Sequence, residues 1–252
     1  MKRYILTLII AVFALMQAAA QTYDNLWKQA DIIAQKDQPK SEIGVMKKII
    51  SKASAAKDYG QLMAAEMRQM ILWKEISADS LTPNVKRMET ELQKVKDPAL
   101  KAVRYAVLGK VYRDNYYGIE GDDVALDQSD DVALDLGDDA SLDPSASSLT
   151  QRDVNLKKSQ EFFKKALEQP ELLAKHPSTE YVPLMLKGVD GSSFNNDLLH
   201  LIGFEADSKE AYLLMYTYYN KVGNRGAACL CAYKLIEKYR QDDVREVKKS
   251  KY

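Results

Sequence analysis

Nine aspartates fall between residues 122 and 143, in three copies of one eight-residue phrase: DDVALDQS, DDVALDLG and DDASLDPS. They are Asp122, Asp123, Asp127, Asp130, Asp131, Asp135, Asp138, Asp139 and Asp143. Carboxylates at this density suggest calcium, which gathers about six to eight oxygen ligands. The spacing argues against a preformed loop. An EF-hand needs acids at alternating positions, a glycine at its sixth and a glutamate at its twelfth, and no copy supplies them. Glycine-rich calcium repeats need tight turns, and Gly137 is the only glycine between Asp122 and Asp143. Dense like charge with few large apolar groups does not repay the entropy of ordering. The expectation is a disordered acidic tether over 118–149, with a calcium-responsive segment as the alternative.

Other reactive residue types are sparse. His176 precedes Pro177 in a turn-rich stretch, and His200 lies in the apolar LLHLIGF, where a packed histidine is the expected state. Cys229 and Cys231 are the only cysteines. Two residues apart on a helix is a rotation of about 200°, so they cannot bridge each other, and both are read as small residues of a packed helix. Tyr212, Tyr216 and Tyr219 share a helical face, and core packing is expected over a sugar-binding platform. No phosphate-binding glycine loop, serine-nucleophile elbow or zinc-binding histidine pair occurs in the sequence. The expectation is a non-enzyme with no catalytic residues, no resident metal and no cofactor.

Residues 1–20 read as a cleavable export signal: Lys2 and Arg3, an apolar run to Met16, then Ala18, Ala19 and Ala20 before Gln21. A retained N-terminal anchor is the competing reading. The expected location is periplasmic or extracellular, with no membrane span after cleavage. Beyond position 20 there are 34 basic and 36 acidic residues. Between Asp114 and Gln151 lie eleven acids and no base, so the remainder carries a surplus of nine positive charges. The two parts attract each other weakly, under strong salt screening. The bases are spread along helices, which disfavours nucleic acid as a partner.

Outside the acidic stretch the apolar residues keep a helical period. Tyr23, Leu26, Trp27, Ala30, Ile33 and Ala34 form one stripe, and Ile43, Met46, Ile49, Ile50 and Ala53 a second. Leu62, Ala65, Met70, Ile71 and Trp73 mark a third helix. Thr82 is the expected cap of a fourth, with Pro83 at its first turn. Asp97-Pro98 opens a fifth. Thr150 and Asp153 suggest a capping box where helix resumes. Pro170 to Asn196 reads as turns and short helical pieces, followed by the apolar helix NDLLHLIGFEA. A last hairpin turns at Gly223 and Asn224. The fold class is all-α: a degenerate tetratricopeptide-like array of helical hairpins, an α-solenoid, interrupted by the acidic insert. Its segments are 1–20, 21–117, 118–149 and 150–252. Within it, AVLGKVYRDNYYG and SQEFFKKALEQPELL look like two halves of one hairpin separated by the insert.

Four further phrases carry a family resemblance. YDNLWKQADIIAQKDQPKSEIGVMKKIISKASAAKDYGQLMAAEMRQMILW, with DPALKAVRYAVLGKVY after it, resembles the N-terminal helical region of alpha-2-macroglobulin family proteins of Bacteroidetes. DGSSFNNDLLHLIGFEA and YYNKVGNRGAACLCAYKLI resemble the continuation of that region. The resemblance implies an envelope protein of protease-inhibitor type, in which some members trap proteases through a Cys-Gly-Glu-Gln thioester. Neither Cys229 nor Cys231 has that context, so the trapping chemistry transfers to no residue here. The closing REVKKSKY reads as the middle of a charged helix, which suggests a truncated member or a stand-alone module. The functional expectation is an exported interaction or scaffold module whose concave helical face meets a protein partner in the cell envelope.

Overall fold

The computed structural model describes residues 23–115, 119, 151–185, 188 and 190–249, the stretch 242–249 as backbone only. The expected export signal, the nine aspartates and Thr150 lie outside them. The described residues are helical, with no strand among them. In chain order the helices are α1 (23–34), α2 (Pro39–Ala56), α3 (Tyr59–Ile76), α4 (Leu81–Leu92) and α5 (Pro98–Asp114). There follow α6 (Gln151–Ala166), the single turn α7 (Pro170–Leu173), α8 (Leu198–Ala206), α9 (Lys209–Lys221) and α10 (Arg225–Lys249). Among the described residues, no helix is long and apolar enough to cross a membrane.

Short polar side chains start several of these helices by accepting an orphan backbone N–H. Asp58 takes Gln61 N at 3.2 Å, Asp97 takes Leu100 N at 2.7 Å, and Ser208 takes Ala211 N at 3.1 Å. Asn224 takes Ala227 N at 3.2 Å, and Gly223 has φ +80, as the hairpin reading requires. Thr82 does not cap α4. A 3-10 turn, Ala78–Ser80, runs directly into the helix, and Leu81 at its first position is buried. Burial of that leucine moves the start one residue ahead of the threonine. Ala34 and Ile71, assigned to inward stripes, are exposed.

Helices pack chiefly as antiparallel sequence neighbours: α2 with α3, α5 with α6, and α9 with α10. Two apolar cores result, and they meet on α3. Leu62, Ala65 and Leu72 face a core shared with α1 and α2, whereas Met63 and Met70 face one that runs on to Cys231 in α10. The acidic insert is therefore no boundary between cores, because α5 and α6 on its two sides share the larger one. Ionic contacts tie the layers together. The buried Glu42 accepts from Arg68 Nε at 2.5 Å, and Arg68 also meets Asp31 at 3.0 Å. Glu66 on α3 meets Arg104 on α5 at 3.5 Å.

A glycine sets one long-range approach. Gly60, at the start of α3, lies against the backbone of Tyr181 and Val182, and a methyl group there would overlap the Val182 carbonyl oxygen. Backbone is what must yield, and overpacking of that kind costs about 1–3 kcal/mol. Gly60→Ala is expected to lower stability by about 2 kcal/mol in urea unfolding. An unchanged midpoint would mean that the Tyr181–Val182 segment gives way freely.

Candidate functional site

The histidines occupy different settings. His176 is half-buried, with Nδ1 2.9 Å from Glu180 Oε2. His200 is buried on α8, its ring stacked on Phe194 at 4.1 Å with an interplanar angle of 1°. Phe204 meets the histidine ring edge-on at 4.6 Å. The cysteines separate as the helical rotation requires. Cys231 is buried and its thiol is pushed up to about 12, by burial first and the Asp197 charge second. Cys229 is exposed, so the packed-residue reading fails for it: it lies on the far side of α10 from the core.

The least expected polar group is Asp197, which the sequence reading places in the first turn of the apolar helix NDLLHLIGFEA. It is 3 % exposed. Its Oδ1 caps α8 by accepting His200 N at 2.8 Å. The Tyr219 hydroxyl, from α9, donates to both carboxylate oxygens at 2.8 and 3.0 Å. Two helices thus meet at one carboxylate, α8 through the capping bond and α9 through the Tyr219 hydroxyl. Burial raises the Asp197 carboxyl to about 6, against the opposing effect of its two donors. The same burial, and then the Asp197 charge, pushes the Tyr219 phenol far above its usual range. Chemically this is a hydrogen-bonded structural carboxylate walled by aromatic rings. Among the described residues, no group of three or more His, Cys, Asp or Glu is placed to share a metal ion.

An open cleft of ≈ 540 Å³ lies where the α1–α2 turn meets α3, lined among others by Asp37, Pro39, Arg68, Ile71 and Glu75. Arg68 is committed there to Asp31 and Glu42. A second surface feature is larger in chemical contrast. Of nine exposed large apolar residues among those described, Leu213, Tyr216, Val222, Tyr233, Ile236 and Tyr239 all belong to the α9–α10 hairpin. Tyr212 and Tyr219 are buried as expected, but Tyr216 is 37 % exposed. It sits about 40° further round α9 than Tyr212, enough to carry it over the rim. On α10, Cys229, Tyr233 and Ile236 follow each other at spacings of four and three, with Arg240 next. That spacing makes a second stripe, roughly opposite the buried Ala227, Ala228 and Cys231.

No protein-family model matches the chain, and no curated protein or solved structure does so either.

The Asp197 geometry predicts a pH dependence whose sign follows from the direction of its shift. A carboxyl raised in the folded state contributes stability that is complete below its ordinary value and is lost as pH rises through about 6. Asp197→Asn keeps an acceptor for His200 N and for the Tyr219 hydroxyl while removing the charge. The variant is expected to gain on the wild type by about 2 kcal/mol between pH 4 and pH 8 in urea unfolding. A parallel pair of stability curves would refute the assignment.

Proposed function

We propose that this protein is an exported, non-enzymatic interaction module, a tetratricopeptide-like hairpin array that binds a protein partner in the cell envelope. In this reading it is related to the N-terminal helical part of bacterial alpha-2-macroglobulin-like proteins. The observation that carries the reading is the outer face of the α9–α10 hairpin. Tyr233 is 58 % exposed and Ile236 59 %. Isolated apolar residues on a surface need no explanation, but a cluster on one hairpin marks a contact site. Tyrosine suits such a site, because it gives a large amphipathic area at a small cost in rotamer entropy. The contact surface is thus this outer face in place of the concave face expected from sequence. The buried ionisable groups support the non-enzymatic part: Asp197, Glu42 and Glu66 each hold neighbouring helices together.

The test is site-specific photo-cross-linking in the producing cell. A benzophenone amino acid at Ile236 is expected to give a discrete adduct with a partner protein. The same group at Lys47, exposed on the opposite end of the chain's helices, is the control and is expected to give none. Equal labelling at both positions, or none at Ile236, would count against the face as a contact site.

A further inference from the structure

We propose that residues 122–143 are an intramolecular ligand of the outer α9–α10 face, occupying in cis the surface offered to a partner. This rests on the reading of that face as a contact site and adds its regulation. Three independent features converge on it.

The first is charge. From Asp207 to Gln241 there are six basic residues against three acidic ones. Two of those acids are engaged, Asp207 with Lys238 at 2.5 Å and Glu237 with Lys234 at 2.8 Å. Of the bases outside these pairs, the exposed Arg225 and Arg240 flank the Cys229–Tyr233–Ile236 stripe at its two ends. Nine aspartates between 122 and 143 supply the complement, and no base lies among them. The second is apolar content. The first two copies set Val-Ala-Leu and the third Ala-Ser-Leu between aspartates, ending in Leu126, Leu134 and Leu142, which matches a stripe of apolar and aromatic side chains bordered by cations.

The third is attachment. The Arg113 guanidinium, at the end of α5, donates to the carbonyl and to the carboxylate of Glu205, and Lys110 reaches the same carboxylate at 2.9 Å. Two residues past Glu205, Asp207 is held by Lys238 of α10. The chain therefore leaves α5 beside Glu205 at the end of α8, two residues before the Asp207 that Lys238 of α10 holds. Its return is fixed close by, since Asn155 of α6 donates to Ile119 O at 2.8 Å. From Arg225 to Arg240 the stripe is about 23 Å long at the helical rise. An extended chain covers about 3.3 Å per residue, so reach is no obstacle.

The experiment uses the full chain, purified and dilute, with the benzophenone at Ile236. Trypsin releases residues 114–152 as one piece, because no Lys or Arg occurs from 114 to 151. The expected product is an intramolecular adduct between that piece and the α10 peptide, independent of protein concentration. Its yield is expected to fall about ten-fold when salt is raised from about 50 mM to about 500 mM, as screening requires. It is expected to fall likewise in Arg225→Glu/Arg240→Glu, whose helix content is checked by circular dichroism. A synthetic peptide of residues 122–143 is expected to bind the chain lacking 122–145, and to lose that binding in Tyr233→Glu/Ile236→Glu. Concentration-dependent adducts between two chains would assign the face to a second copy and overturn the proposal. So would a purified chain that gives no adduct, together with a chain lacking 122–145 that does not bind the peptide. If adducts with a partner still form in the cell, only the intramolecular ligand fails; if they too are absent, the contact face fails with it.

Discussion

The contact on which the rest of the structure depends is the close approach of α5 and α6 at Gly109. Ser159 of α6 donates to Gly109 O at 2.6 Å, and a Cβ at position 109 would stand only 2.9 Å from the Phe163 ring. This pair of helices is joined through the long acidic insert and not through a short turn. Closing such a loop in place of a turn of about four residues costs roughly 2 kcal/mol more, at about 0.6 kcal/mol per doubling. Phe162 and Phe163 are both buried at the seam, and each such ring contributes about 1.5–3 kcal/mol. Packing at the seam therefore outweighs the added entropy. The insert is tolerated because its two ends are held by a contact that does not depend on it.

Once α6 is fixed, α5 positions α3, α4 and α8. It has buried residues on nearly all sides, from Ala99 and Leu100 to Val111 and Tyr112, which is the pattern of a helix surrounded by other helices. Its polar side chains reach outward to each neighbour. Arg104 meets Glu66 of α3, the Tyr112 hydroxyl donates to Glu89 of α4 at 2.7 Å, and Arg113 holds Glu205 of α8. Lys158 of α6 meets Glu89 at 2.8 Å and closes the group. The partly exposed pairs are worth about 1 kcal/mol or less each. Glu66 and Arg104 are mostly buried, and burial pushes the Glu66 carboxyl up in spite of the arginine. A buried pair of this kind fixes which helices meet more than it adds stability.

Most of the helices were legible in the sequence because each buries a stripe of its own, and periodicity reports a stripe directly. Asp97, Gly223 and Asn224 were legible for a similar reason, since capping chemistry is local. What periodicity leaves open is which stripe is covered. Ile71, Tyr216 and Cys229 all lie on apolar helical positions, and only the placement of a neighbouring helix decides that they face water. The Asp197–Tyr219 bond and the approach of Gly60 to Val182 were illegible for another reason. Each joins residues more than twenty positions apart, and neither residue type is unusual at its own site. The one local signal for Asp197 is its place at the start of an apolar helix, where aspartate is a favoured cap, and it gives no sign of a phenol above it.

The α10 helix shows how fold and recognition are kept apart on one element. Its inner side is built from Ala227, Ala228 and Cys231, small residues that let α9 come close. Its outer side carries large ones, Tyr233, Ile236 and Tyr239, which contribute little to folding because they stay in water. Those rings are nevertheless not left loose. Lys209 lies over the Tyr239 ring at 4.4 Å and Lys234 over the Tyr233 ring at 5.7 Å. A cation above a ring restricts its rotamers without covering its other face. Association costs about 0.5–1.5 kcal/mol for each side chain that must be immobilised. Rings already held in place lower that cost, so the same surface that adds nothing to the core is prepared for contact.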